Sequence, residues 1–267
     1  MKIIQQSLST NSAAFLKGYV RESDSDAQHF KYPAVLIVPG GSFTHISEQQ
    51  AESFALSFAA QGYQSFYLRY SFESEKRPLM PHPVIELGQA MQYLHHHAVD
   101  LNIDAKRIII AGFSIGGFIV SQYNNQYDQA ALLNAVGAKD ATELTPRAVI
   151  LSYPVIDLSL GFPNEPAKIN DWVNTPAEGA AENGVTKTNV PTFIWHTADD
   201  PLVPAMNSIK YAEALAKHQI DYELHIFHHG RHGMAMANQL TAWNNESNDP
   251  HVAKWFPLAI EWLNEIK

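Results

Sequence analysis

Apolar and polar positions in this chain are sorted into blocks of two kinds. Short apolar runs without interruption, such as Val35-Leu36-Ile37-Val38 and Ile108-Ile109-Ile110-Ala111, read as strands buried on both faces. Between them lie longer stretches with apolar residues at helical spacing, such as Phe54, Ala55, Phe58 and Ala59, or Ile85, Leu87, Met91 and Leu94. The pattern predicts strands over 13–20, 34–38, 64–70, 148–153, 192–196 and 222–227, with one more on the Ile108 run. It predicts helices over 48–61, 83–99, 115–127, 205–218 and 252–266, and a polar turn over 22–28. Strands and helices alternate, which implies an α/β fold: a mostly parallel central sheet with helices on both faces. The stretch 158–189 breaks the rhythm with Gly161, Pro163, Pro166, Pro176, Gly179 and Gly184, punctuated by Phe162 and Trp172. A segment this long between two strands is expected to form a small cap over the sheet, inserted in one domain spanning 1–267.

Composition narrows the function classes. Hydrophobic residues are 46% and charged residues 17% of the 267, which is globular composition. A net charge of -9 with 18 Lys+Arg argues against nucleic acid, whose phosphates need a concentrated basic surface. Cysteine is absent, which removes disulfides and thiolate metal sites. Met1-Lys2-Ile3-Ile4-Gln5-Gln6 runs into polar sequence without an apolar export core, and no stretch approaches membrane-spanning length, so the expectation is a cytoplasmic protein with no membrane partner.

The candidate chemistry begins where the Ile run meets Gly112-Phe113-Ser114-Ile115-Gly116-Gly117. A G-x-S-x-G turn between strand and helix holds its serine in a strained conformation, so the residues two before and two after must lack bulk. The helix start beside Ser114 also favours negative charge nearby. A second strand empties into Val38-Pro39-Gly40-Gly41-Ser42-Phe43, whose backbone N–H groups could approach a ligand unhindered. A serine hydroxyl needs a base, and that base needs a carboxylate. Thr192-Phe193-Ile194-Trp195-His196-Thr197-Ala198-Asp199-Asp200 places two carboxylates beyond a strand, either of which could equally serve as a turn or N-cap residue. Among 13 histidines His232 is favoured, because it sits between Gly230 and Gly233 in a short loop after the last strand, whereas His228 and His229 lie too near the strand end. His95-His96-His97 is not a metal site, since three successive helical residues spread round the helix and cannot converge on one ion.

With these motifs the chain resembles the α/β-hydrolase superfamily over nearly its whole length. Val38-Pro39-Gly40-Gly41-Ser42-Phe43, Leu68-Arg69-Tyr70-Ser71, the Ser114 elbow, Ser152-Tyr153-Pro154-Val155-Ile156 and Trp195-His196-Thr197-Ala198-Asp199-Asp200 are similar to its acetyl esterase/lipase group, which includes acetylxylan and feruloyl esterases. The resemblance implies the order Ser, Asp, His, and its H-x-x-x-D-x-x-V-P pattern selects Asp200 over Asp199. It implies a triad of Ser114, Asp200 and His232, and an oxyanion hole from the N–H groups of Gly41, Ser42 and Ile115. Pro39-Gly40-Gly41-Ser42 departs from the H-G-G-G of hormone-sensitive-type lipases, although Ser42 retains its backbone donor. The implied activity is serine carboxylic-ester hydrolysis of short acyl, acetyl-type esters of sugars or small alcohols. No cofactor or metal enters this chemistry, and the partner is a small-molecule ester. A peptidase or acyltransferase of the same fold would share the triad, and a non-catalytic binding protein would not need it. Phe43, Tyr153, Trp172 and Trp243 are the aromatics that could shape the pocket, though packing is the ordinary role of each.

Overall fold

The computed structural model describes residues 1–22 and 30–266, so the turn expected over 22–28 falls, from residue 23 on, outside the described residues. In chain order the elements are β1 (Lys2–Ser7), β2 (Phe15–Val20), β3 (Tyr32–Val38), α1 (Glu48–Ala60), β4 (Gln64–Arg69), α2 (His82–His96), β5 (Ile103–Phe113) and α3 (Ile115–Asn124). They continue as α4 (Ala130–Val136), β6 (Ala148–Ser152), α5 (Pro166–Trp172), β7 (Thr192–Thr197), α6 (Met206–Lys217), β8 (Tyr222–Phe227) and α7 (Trp255–Glu265). The eight strands form one sheet in the order β1-β2-β4-β3-β5-β6-β7-β8. Strands β3 to β8 pair in parallel, and β2 runs against both of its neighbours. This is the α/β fold with a mostly parallel sheet that the sequence predicts.

The uninterrupted apolar runs conceal a two-residue period. Leu36, Ile110, Leu151 and Ile194 point into a core shared with Leu87 and Met91 of α2, Phe118 of α3 and Leu215 of α6. Val35, Ile37, Ile109, Ile150 and Phe193 point the other way, against Phe54 and Phe58 of α1 and Trp255 and Trp262 of α7. Both faces are buried along these runs, so their successive positions are apolar and the alternation disappears from the sequence.

Three elements differ from expectation. β1 was not legible, because an edge strand reading Lys-Ile-Ile-Gln-Gln-Ser is exposed along most of its length and carries no burial pattern. α4 occupies a stretch for which the pattern predicts no element; it docks through buried Leu132 and ends at Gly137, whose φ of 79° suits a helix C-terminus. α5 lies within 158–189.

That segment is bound tightly to the rest. Phe162, Trp172, Val173, Ala181 and Val185 are buried in the same core as α2 and α3. The Trp172 ring meets Phe43 edge-on with centroids 5.0 Å apart. Its Nε1 donates to Glu73 at 2.6 Å, and the carbonyls of Asp171 and Trp172 accept from Leu79 and Met80 at 3.0 and 2.8 Å. No helix among the described residues is long and apolar enough to cross a membrane.

Trp172 is 1% exposed and joins 158–189 to the turn after β3. Trp172→Ala is therefore expected to lower unfolding free energy by about 3–5 kcal/mol, measured by urea denaturation. A loss below about 1 kcal/mol would show the segment to be loosely attached.

Candidate active site

Ser114 stands between β5 and α3 with φ 54° and ψ -121°, a backbone conformation costing a non-glycine residue about 1–3 kcal/mol. Two neighbours hold it there. Its N–H donates to the Ser152 carbonyl at 3.0 Å, and its carbonyl accepts from Val155 N–H at 3.1 Å. The flanking glycines are steric necessities: a Cβ on Gly116 would lie 2.1 Å from the Val38 oxygen, and one on Gly112 would lie 2.7 Å from the Gly116 oxygen. The spacing of the motif thus reflects how closely α3 crosses the end of β3.

The loops after β7 and β8 bring Asp200 and His232, respectively, to the serine. Ser114 Oγ is 2.7 Å from His232 Nε2, and His232 Nδ1 is 2.7 Å from Asp200 Oδ2. A carboxylate only accepts, so Nδ1 carries the proton, and in the neutral ring Nε2 is left to accept from the serine hydroxyl. Asp200 has a fully buried carboxylate, and burial alone would raise its pKa. Hydrogen bonds from His196 and His232, the charge His232 can carry, and the Val203 N–H outweigh burial and hold it well below the usual carboxylate range. The Leu202 and Val203 N–H groups each donate to Oδ1 at 2.9 Å.

His196, the first position of the H-x-x-x-D pattern, is a second imidazole at the same carboxylate. It is fully buried; its Nε2 lies 2.9 Å from the Val203 carbonyl and 3.3 Å from Asp200 Oδ2. Both are acceptors, so Nε2 carries the proton, and in the neutral ring Nδ1 accepts from Ser208 Oγ at 2.8 Å. Asp199 does different work: it accepts from His229 Nδ1 and Gly230 N–H, both at 2.8 Å, tying the loop after β7 to the loop after β8. His229 is thus an exposed surface residue, and the His228 ring meets His251 edge-on and His229 at a tilt. His96 and His97 take separate partners, Glu143 and the Tyr93 carbonyl.

The Gly-Gly turn forms the opposite wall. Gly41, Ser42 and Phe43 have φ of 132°, 55° and 61°, and a Cβ on Gly41 would overlap the His45 carbonyl. Tyr70 Oη donates to the Pro39 carbonyl at 3.0 Å, and Glu73 N–H to the Phe43 carbonyl at 2.9 Å, which fixes both ends of the turn. Behind Tyr70, buried Glu86 accepts from the hydroxyls of Ser12 and Ser71 at 2.5 Å and from Ser71 N–H at 2.7 Å. Among the described residues the backbone N–H groups of Gly41, Ser42 and Ile115 have no protein acceptor. Gly40, Gly41 and Ser42 line one cleft of about 190 Å3 with Ser114 and His232. Phe113 and Tyr153 line it too, and the Tyr153 ring meets the His232 ring edge-on at 5.1 Å.

The structure therefore brings Ser114, Asp200 and His232 into one hydrogen-bonded line and sets the 40–42 turn beside them, with Ile115 buried at the start of α3. Of the four aromatics singled out, Tyr153 lines this cleft and Trp243 an adjoining one, while Phe43 and Trp172 are interior packing. No residue of 158–189 lines either cleft.

The BD-FAE family profile matches residues 24–215. Over 98% of its length, the carboxylesterase Cest-2923 from Lactobacillus plantarum superposes on 99% of this chain with a TM-score of 0.92 and 33% sequence identity. The chain is 29% identical over 213 residues to endo-1,4-beta-xylanase B of Butyrivibrio fibrisolvens, covering 78% of this chain and 33% of that protein. It is 26% identical over 211 residues to an acetylxylan esterase of Xylanibacter ruminicola, covering 75% of this chain and 40% of that protein. The chain thus corresponds to less than half the length of either curated relative.

A carboxylate whose pKa is lowered on folding contributes stability above its unfolded value, near 3.9, and loses it as pH falls through the folded value. Asp200→Asn is expected to be less stable than the parent above about pH 5, with the gap narrowing steadily below pH 4. Denaturant melts of both proteins from pH 3 to 8 measure the difference, and a gap that widens in acid would contradict the electrostatic reading.

Proposed function

The chain belongs to the BD-FAE family, and on that premise we propose that it is a serine carboxylic-ester hydrolase that removes short acyl groups through an acyl-enzyme. The observation that carries the reading is the unbroken line from Ser114 Oγ through His232 to Asp200, with both links at 2.7 Å.

Ser114 Oγ attacks the ester carbonyl carbon while its proton passes to His232 Nε2. The carbonyl π electrons move to oxygen, and the oxyanion accepts from the free N–H groups of Gly41, Ser42 and Ile115, each worth about 100- to 1000-fold in turnover. Asp200 keeps the imidazole in the tautomer that presents a bare Nε2 and stabilises its cationic form. Collapse breaks the bond to the alcohol oxygen, which takes the proton from Nε2 and leaves. Water then attacks the acyl-serine, giving its proton to Nε2. The second collapse releases the carboxylic acid and returns that proton to Ser114.

The acyl group belongs in the cleft that holds both Ser114 and the 40–42 turn. At about 190 Å3 it is smaller than the roughly 300–1,000 Å3 of sites for drug-sized ligands. Its walls are stiff: Phe113 stacks on Phe54 at 4.1 Å, and Tyr153 meets Trp195 edge-on at 5.0 Å. Both features favour acetyl and other short chains. Similarity to an acetylxylan esterase favours a sugar or another small alcohol as the leaving half.

Ser114→Ala is expected to lose at least about 10^4-fold in kcat on an aryl acetate while keeping its circular dichroism spectrum. Retained hydrolysis would end the proposal. Across a series of esters from acetyl to octanoyl, kcat/KM is expected to fall as the chain lengthens; a rise toward octanoyl would refute the short-acyl assignment.

A further inference from the structure

We propose that a second cleft, of about 350 Å3 and lined by Gln50, Leu202, Arg231, His232 and Trp243, receives the alcohol half of the ester, and that Trp243 selects alcohols carrying a ring. The inference rests on the esterase reading of Ser114, Asp200 and His232, and adds to it which wall recognises the leaving group.

The direction follows from the proton. The departing alcohol oxygen must take its proton from His232 Nε2, so the alcohol lies on the imidazole side of the scissile bond. The carbonyl oxygen lies on the other side, toward the 40–42 turn. Two clefts meet at His232. The smaller contains Ser114, Gly41 and Ser42, which handle the acyl half. The larger shares His232, Leu202 and Gln50 with it, but is lined by neither Ser114 nor the turn. A group leaving the serine past the imidazole therefore enters the larger cleft.

Trp243 gives that cleft its chemistry. Trp243 is 67% exposed in a protein whose other four tryptophans, Trp172, Trp195, Trp255 and Trp262, are buried. Among the described residues it joins no aromatic pair and its Nε1 makes no hydrogen bond. A large flat apolar face left open in a concave site has contact energy available to a ligand. A ring laid on the indole covers far more of it than a two-carbon chain does. Arg231, held by an ion pair with Glu246, and the Gln50 amide add polar groups to a lining that is otherwise mostly apolar, which suits a compact ring carrying polar substituents.

The test compares two acetates that differ only in the alcohol, ethyl acetate and cyclohexyl acetate. In Trp243→Ala the ratio of kcat/KM for cyclohexyl over ethyl acetate is expected to fall about five- to tenfold, mainly through KM, with Trp243→Phe restoring most of it. A ratio unchanged within about twofold, or an equal loss on both esters, overturns the assignment. Binding separates this outcome from failure of the esterase reading. Equilibrium dialysis of cyclohexyl acetate against Ser114→Ala and Ser114→Ala/Trp243→Ala proteins should show a similar loss of affinity in the double variant. Equal affinity rejects the subsite whatever the serine does, whereas hydrolysis surviving in Ser114→Ala rejects the mechanism.

Discussion

Where α3 begins, the chain passes so close to the end of β3 that a single methyl group at Gly116 would sit 2.1 Å from one carbonyl oxygen and 2.6 Å from the next. Gly117 is similarly pressed against Pro154 at the end of β6, where a Cβ would come within 2.5 Å of that ring. The peptide around Ser114 is therefore clamped between the strands on either side of β5, and the left-handed backbone of the serine is a result of that clamp. The strain, about 1–3 kcal/mol, is offset by the two hydrogen bonds from β6 and the residues after it. The same approach sets Gly40 against Ser114, so the turn with the free N–H groups and the hydroxyl share one cleft. The Ser114 hydroxyl and the turn's N–H groups are positioned by a single packing contact.

The second requirement is a charge kept ionised out of water. A buried carboxylate is costly unless its oxygens are satisfied, and Asp200 has two ring N–H groups and two backbone N–H groups converging on it. Its neighbour Asp199 faces solvent and binds the adjoining loop. Two successive aspartates thus divide the work: one stabilises the imidazole and the other fixes the loop that carries it. Thr197 Oγ1 adds a further tie to the Gly230 carbonyl at 2.9 Å.

The parts of the site legible in the sequence are those whose geometry constrains residue type locally. Gly112 and Gly116 stand out because nothing larger fits, and so does Gly230, whereas Gly233 has room for a Cβ and is set apart by its φ of 77°. Asp200 was separable from Asp199 only through resemblance, since burial, the property that distinguishes them, is tertiary. His196 was hidden because an interior imidazole donating to a carboxylate looks like any other residue at the end of a strand. Glu86 was hidden because it lies on a helix whose pattern reads as ordinary amphipathic sequence, and its partners Ser12 and Ser71 are far away in the chain. In 158–189 the abundance of Gly and Pro suggested a cap, whereas its aromatics are anchored in the interior. Nor could the pattern reveal that Trp243 is open while Trp172 is enclosed, because tryptophan serves equally well in either setting.

The imidazole is carried by the loop following β8, the last strand of the sheet, whose outer edge has no neighbour among the described residues and whose residues, Phe227 apart, are exposed or half-buried. Ser114, by contrast, follows β5 in the middle of the sheet, with strands on both sides. Fraying of the sheet from this margin separates His232 from Ser114 while the central strands stay paired. Loss of turnover on heating then precedes loss of the core, and amide hydrogen exchange along β8 becomes the natural gauge of how often the resting molecule is incompetent.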